Sequence, residues 1–180
     1  MIPTDWAKLW QELASSDIQA SFEGEAKMVE RWRKVAQQLD AGERDLPDAL
    51  LDHILGRLTS EMTAVDIGAG IGRWTLPMAE RVRHVTALEP LAGMRTVLSE
   101  RIARHRVANV AIVGAPWMKA EVPLHDVVIA AHATYTTTDL VAFVRKMERL
   151  YLLLHETSRA THRRGLLSAD LSFLTDRVPA

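Results

Sequence analysis

Beyond residue 60 the chain alternates between two kinds of pattern. Short, almost unbroken apolar runs occur at residues 63–67, 84–88, 109–113, 126–131 and 150–154. Runs of this length with little alternation predict strands, and Leu-Tyr-Leu-Leu-Leu at 150–154 predicts one buried on both faces. Between them lie segments of helical periodicity at 73–82, 91–106 and 139–148. Strands alternating with helices imply a parallel sheet covered on both faces. The first 60 residues contain no strand-like run and show three amphipathic stripes instead. Trp6, Leu9, Trp10 and Leu13 make the first, with Thr4 placed as an N-cap; Met28, Trp32, Val35 and Leu39 make the second; Leu50, Leu51, Ile54 and Leu58 make the third. Such stripes are expected to pack as core rather than to line a pocket.

Composition narrows the reading. With 180 residues and 48% hydrophobic content, one domain with a real core is expected, plus at most a small appendage. No apolar run is long enough to span a membrane, and the N-terminal residues lack the basic-then-apolar pattern of a secretory signal, so a cytoplasmic location is the default expectation. Cysteine is absent, which removes disulfides, thiolate metal sites and cysteine nucleophiles; no metal site is predicted. A formal net charge of −1 argues against a nucleic-acid partner. Two basic patches, Arg101 with Arg104, His105 and Arg106, and Arg159 with His162, Arg163 and Arg164, are expected to be solvated faces.

The chemistry concentrates where the first strand ends. Asp66-Ile67-Gly68-Ala69-Gly70-Ile71-Gly72 carries three glycines at alternate positions, followed by helix-like sequence. Glycine permits φ > 0 and close approach of a ligand to the main chain. A strand–loop–helix unit also aims free backbone N–H groups at an anionic part of that ligand. A nucleotide-like cofactor is expected here. The dinucleotide fingerprint G-x-G-x-x-G fails, because Arg73 stands at its third glycine, and no Gly-Lys-Ser/Thr completes a phosphate-binding P-loop. Glu89, before Pro90 at the end of the second strand, lies roughly 20 residues past the loop, where a carboxylate can accept hydrogen bonds from both ribose hydroxyls. That position serves a dinucleotide and S-adenosylmethionine equally.

The pattern Asp66-x-Gly68-x-Gly70-x-Gly72, with Glu89 downstream, resembles the first motifs of the class I S-adenosylmethionine-dependent methyltransferases. The resemblance covers roughly residues 60 to 155. It implies a Rossmann-like α/β fold with a mainly parallel sheet, of which about five strands are recognisable here. The helical N-terminus resembles the variable cap that such enzymes add over the cofactor. Residues 1–60 would form this cap, 61–156 the S-adenosylmethionine-binding core and 157–180 a C-terminal tail. The family's sheet normally has seven strands, so the chain reads as shortened at its C-terminus. The resemblance further implies that Gly68, Ala69, Gly70 and Gly72, with Asp66, surround the methionine part of the cofactor. Glu89 and Pro90 would lie at the ribose, and Ala115 at the adenine, to which it could give a backbone N–H. Trp117 is left with two readings, stacking on a ring or packing in the core.

At the carboxyl end of the fourth strand, where open α/β sheets place their ligands, stand His132 and Tyr135. His132 is the candidate base and Tyr135 a second catalytic candidate. Asp126 begins that strand, at the opposite edge from the crevice, and is expected to be structural. The expected activity is methyl transfer to a small-molecule or protein acceptor. A catalytically inactive cofactor-binding or partner-dependent domain is the alternative, and a nicotinamide-dependent oxidoreductase a third reading. If the terminal strands are missing, the strand at 150–154 would leave an apolar edge, for which a two-fold homodimer is the expected remedy.

Overall fold

The computed structural model describes residues 5, 8–12, 14–15, 24–41, 49–134 and 137–147. Four strands, β1 (Thr63–Ile67), β2 (His84–Leu88), β3 (Val110–Val113) and β4 (Val127–Ile129), form one parallel sheet in the order β3-β2-β1-β4. The helices are α1 (Glu25–Asp40), α2 (Ala49–Leu55), α3 (Thr75–Ala79), α4 (Ala92–Arg104) and α5 (140–147), with further helical residues at 8–12. The chain builds outward from β1 to β2 and β3, then returns to place β4 on the other side of β1. That reversal opens a crevice beyond the carboxyl ends of β1 and β4, the usual ligand position in such sheets.

Strand alternation divides the core. Ala64 and Val85 face the side where Trp74, Met78, Ala79 and Val82 pack, with Leu51, Ile54, Leu55 and Leu58 outside them. Ala87 faces the same side, against Leu98 and Ile102 of α4. Val65, Ile67 and Leu88 face the other side, against Trp117, Ala120 and Phe143 of α5. Helices thus cover both faces, and β1 and β2 are buried at every position after the first.

The N-terminal helix α1 packs its Val29, Trp32, Val35, Ala36 and Leu39 against Met94 and Val97 of α4 and against Ile71 of the glycine loop. Its apolar stripe is core, as its periodicity implies. Asp126 is structural: its carboxylate accepts from the Thr63 N–H at 2.7 Å and the Thr63 hydroxyl at 2.9 Å, fastening β4 to the start of β1. The predicted strand at 150–154 and the tail after it lie outside the described residues, as does the edge on which the homodimer expectation rests. Among the described residues, no helix is long and apolar enough to cross a membrane.

Candidate functional site

The loop after β1 takes the shape its glycines permit. Gly68, Gly70 and Gly72 all have left-handed φ, at 73°, 56° and 84°. Two of them are also forced by packing. A Cβ on Gly68 would lie 2.7 Å from the Cβ of Ala133, and one on Gly72 would lie 2.5 Å from Leu98 Cδ1. Gly70 differs, since a Cβ there would find its nearest neighbour, Met94 Cε, at 3.7 Å. At Gly70 a Cβ would therefore meet its neighbours at ordinary van der Waals distance, so its glycine is required by φ and not by packing within the described residues.

Backbone hydrogen bonds fix the rest of the loop. Gly68 and Ala69 both donate to the Leu88 carbonyl, at 2.8 and 3.0 Å, tying the loop to the end of β2. The Ala69–Gly70 peptide is held at both ends: Ala69 O accepts from the Gly72 N–H at 2.8 Å, and the Gly70 N–H donates to Glu89 Oε2 at 2.8 Å. The Ile71–Gly72 peptide is held too, because Ile71 O accepts from Arg101 Nη1 at 2.7 Å. Between them, the Gly70–Ile71 peptide has neither its carbonyl nor its N–H engaged among the described residues. Unpaired backbone groups call for a partner.

Glu89 is buried, with 5% exposure, at the crevice beyond β2. Its Oε1 accepts from the Leu91 N–H at 2.9 Å, beside Pro90, while Oε2 takes Gly70. Both carboxylate oxygens are thus oriented by backbone N–H groups. Asp66 does different work. Its Oδ2 accepts the Thr75 hydroxyl at 2.6 Å, and the Thr75 backbone N–H also bonds the carboxylate, so Asp66 holds the start of α3. Complete burial pushes its pKa up to about 6; the bonds from Thr75 oppose this, and the nearby Glu89 charge adds to it.

On the far side of Glu89, Arg95 Nη1 donates to the carbonyls of Glu89, at 3.0 Å, and Pro90, at 2.7 Å. Its guanidinium lies so close over Gly114 that a Cβ there would sit 3.0 Å from Cζ. Arg95 thus joins the turn after β2 to the turn after β3, where Ala115 is half-buried beside an exposed Gly114. His132, exposed at the end of β4, has a left-handed φ of 55°. Its neighbour Ala133 is the residue packed against Gly68, so His132 stands next to the loop. Tyr135 lies outside the described residues.

A family model described as a methyltransferase domain matches residues 64–151. A protein from Methanosphaera stadtmanae named as a probable ribosomal RNA small subunit methyltransferase A is 29% identical over 123 residues, covering 63% of this chain and 45% of its own. The protein-L-isoaspartate O-methyltransferase 1 of a Polaromonas species is 27% identical over 132 residues, covering 65% of this chain and 56% of its own. The chain therefore spans about half the length of the curated relatives it matches. The solved structure of a SAM-dependent methyltransferase from Aquifex aeolicus superposes with a TM-score of 0.52 at 18% identity, covering 66% of each chain. Residues 64–151 thus match the methyltransferase-domain family, on a fold shared with class I S-adenosylmethionine-dependent methyltransferases.

S-adenosylmethionine is accordingly the cofactor, and the geometry fits it. A buried carboxylate with both oxygens oriented suits a ribose diol, and the Gly70–Ile71 peptide, without a hydrogen-bond partner among the described residues, suits the polar end of an amino acid. Of the two roles left to Trp117, the structure shows packing. The indole is buried at 4% exposure, donates Nε1–H to Phe143 O at 3.1 Å, lies 6.2 Å from the Phe143 ring, and has the Lys146 ammonium 4.6 Å from its own ring centroid.

The first basic patch departs from expectation at one residue. Arg101 is buried, while Arg104, His105 and Arg106 are exposed as a solvated face would be, and Arg101, Arg104 and His105 all reach Asp40 at the end of α1. Arg101 Nη2, Arg104 Nη1 and His105 Nε2 lie 2.6, 2.5 and 2.9 Å from its carboxylate oxygens. Burial works against the charge of Asp40, but hydrogen bonds from Arg101 and His105 outweigh it and hold the pKa down at about 2. Thr75, Arg95 and the Asp40–Arg101 pair were all missed from sequence. A Thr nine residues after Asp66 gave a faint signal; the Asp40–Arg101 pair, 61 residues apart, gave none.

Proposed function

We propose that this chain transfers the methyl group of S-adenosylmethionine to a small-molecule or protein acceptor. The observation that carries the reading is the unengaged Gly70–Ile71 peptide beside the oriented Glu89 carboxylate. The methionine end would meet Gly70, the ribose Glu89, and the adenine the turn at Gly114 and Ala115, with Pro90 at its rim. When bound, the cofactor supplies an electrophilic methyl on a sulfonium, so the acceptor's lone pair forms the new bond as the carbon–sulfur bond breaks toward sulfur.

The protein's own contribution is alignment. Held geometry of this kind corresponds to about 7–11 kcal/mol of barrier in favourable cases, and the loop is gripped by β2, Glu89 and Arg101 before any ligand arrives. His132 stands where the acceptor would enter and would take its proton. An RNA acceptor, suggested by the name of the Methanosphaera relative, is disfavoured by the net charge of −1. Nothing among the relatives favours the inactive alternative.

Calorimetry with S-adenosylhomocysteine tests the site. Gly70→Val should abolish binding, and Glu89→Ala should weaken it about ten- to a hundredfold, the equivalent of losing a charge-assisted hydrogen bond worth roughly 1.5–3 kcal/mol. Unchanged affinity in both would remove the basis of the assignment. Labelled methyl donor offered to small molecules, proteins and RNA then tests the acceptor, and labelling of RNA alone would overturn the acceptor class.

A further inference from the structure

Arg101 is an unusual arginine for a helix surface, since its side chain is only 8% exposed. Its three donors divide between two parts of the chain. Nε and Nη2 donate to Asp40 Oδ1 at 2.8 and 2.6 Å, and Nη1 donates to Ile71 O at 2.7 Å. The planar fork of a guanidinium can hold both partners at once, which a lysine's point charge cannot. We propose that Arg101, itself oriented by Asp40 at the end of α1, is a positioning residue for the cofactor loop.

The reasoning follows the peptides. Ile71 O belongs to the Ile71–Gly72 unit, whose N–H is bonded to Ala69 O. Ala69 O belongs to the Ala69–Gly70 unit, whose N–H is bonded to Glu89. A continuous series of bonds thus runs from Asp40 through Arg101, Ile71–Gly72 and Ala69–Gly70 to the carboxylate assigned to the ribose. The free Gly70–Ile71 peptide lies between the two clamped units, so its direction is set by them. Three glycines with positive φ make the loop costly to order on its own. An external grip on a carbonyl turned away from the ligand lowers the ordering left to be done on binding. Through Asp40 this makes the N-terminal helix part of the cofactor site, although none of its residues is assigned to touch the ligand.

The inference rests on the glycine loop being the cofactor site. Arg101→Lys retains a cation for Asp40 but cannot also hold Ile71. Should that variant lose its fold, the double replacement Asp40→Leu with Arg101→Met removes both buried charges while keeping bulk, an exchange that buried ion pairs often tolerate. Each folded variant should bind S-adenosylhomocysteine about tenfold more weakly by calorimetry, with faster amide exchange at Gly72 and a near-unchanged melting midpoint for the double variant. The control is Arg33→Ala, which removes an Arg33–Glu100 ion pair that also joins α1 to α4 but touches no loop residue; its affinity should equal the wild type's. Wild-type affinity in a folded Arg101 variant would overturn the inference. So would an Arg33→Ala variant weakened to the same degree, since general helix packing would then be the cause. If Glu89→Ala also leaves affinity unchanged, the site reading has failed; if only the Arg101 variants do, the positioning role alone has failed.

Discussion

Asp66 should make this protein less stable as pH rises from 4 to 7, and Asp66→Asn should abolish that dependence. In the unfolded chain its carboxyl ionises near 3.8, whereas burial in the fold raises it to about 6. Below pH 3.8 the group is neutral in both states and contributes no penalty. Between the two values the unfolded chain loses the proton while the fold retains it, so stability falls with rising pH. Above pH 6 the penalty is complete, and a shift of about two units corresponds to about 3 kcal/mol. Asparagine keeps an acceptor for Thr75 but cannot ionise. Any fixed cost of the amide is the same at every pH and cancels from the comparison. Asp40 runs in the opposite direction, contributing stability above its unfolded value that is lost as pH falls toward 2, and so lies outside this window. Urea melts of both proteins at unit steps from pH 4 to 8 give the test. The variant should gain about 3 kcal/mol on the wild type across that range. A difference that stays constant with pH would mean that Asp66 titrates as a solvated carboxyl, and would remove the burial argument.

The glycines separate fold from ligand. Gly72→Ala forces a Cβ to 2.5 Å from the fully buried Leu98 and should cost roughly 2–5 kcal/mol of stability from overpacking and left-handed strain together. Gly70→Ala carries only the strain, about 1–2 kcal/mol, yet should weaken S-adenosylhomocysteine more than its stability loss explains; equal stability losses in the two variants would contradict the packing. His132→Ala should lower turnover with little change in cofactor affinity. Wild-type turnover in that variant, with chemistry rate-limiting, would remove the base role from His132.

The parts legible in the sequence are those whose cause is local. β1 and β2 have the predicted bounds because every residue after the first is buried. β3 and β4 each start one residue later than predicted. Asn109 spends its amide on the Ala79 and Val82 carbonyls at the end of α3, and Asp126 spends its carboxylate on Thr63. The helix expected at 73–82 shortens to Thr75–Ala79, since residues 71–74 still belong to the loop and Asp66 fixes the first helical residue. The glycine spacing and Glu89 were legible because backbone φ and strand-end position are properties of single residues. Trp117 was not, because its neighbour Phe143 arrives from a helix 26 residues away.

The same distinction bears on what the four described strands can do. A cofactor site of this kind needs the carboxyl ends of β1, β2 and β3 with the loops between them, and all three are present with their connecting helices. Among the described residues, the contacts that shape the glycine loop come from within residues 29–133: Leu88 and Glu89 at the end of β2, Thr75 and Leu98 from the helices, Ala133 from the turn after β4, Arg101 with Asp40 from behind, and the apolar face of α1 against Ile71. The loop is therefore ordered by neighbours on several sides before a ligand arrives. Strands further out would add width to the sheet and surface for an acceptor, but no described loop contact depends on them. The turn after β4 and the helical N-terminus meet where the Trp10 indole N–H donates to Thr137 O at 2.7 Å. That contact lies outside the series of bonds that holds the glycine loop, so Trp10→Phe should leave S-adenosylhomocysteine affinity at the wild-type value by calorimetry, and a roughly tenfold weakening would instead join this contact to the cofactor site.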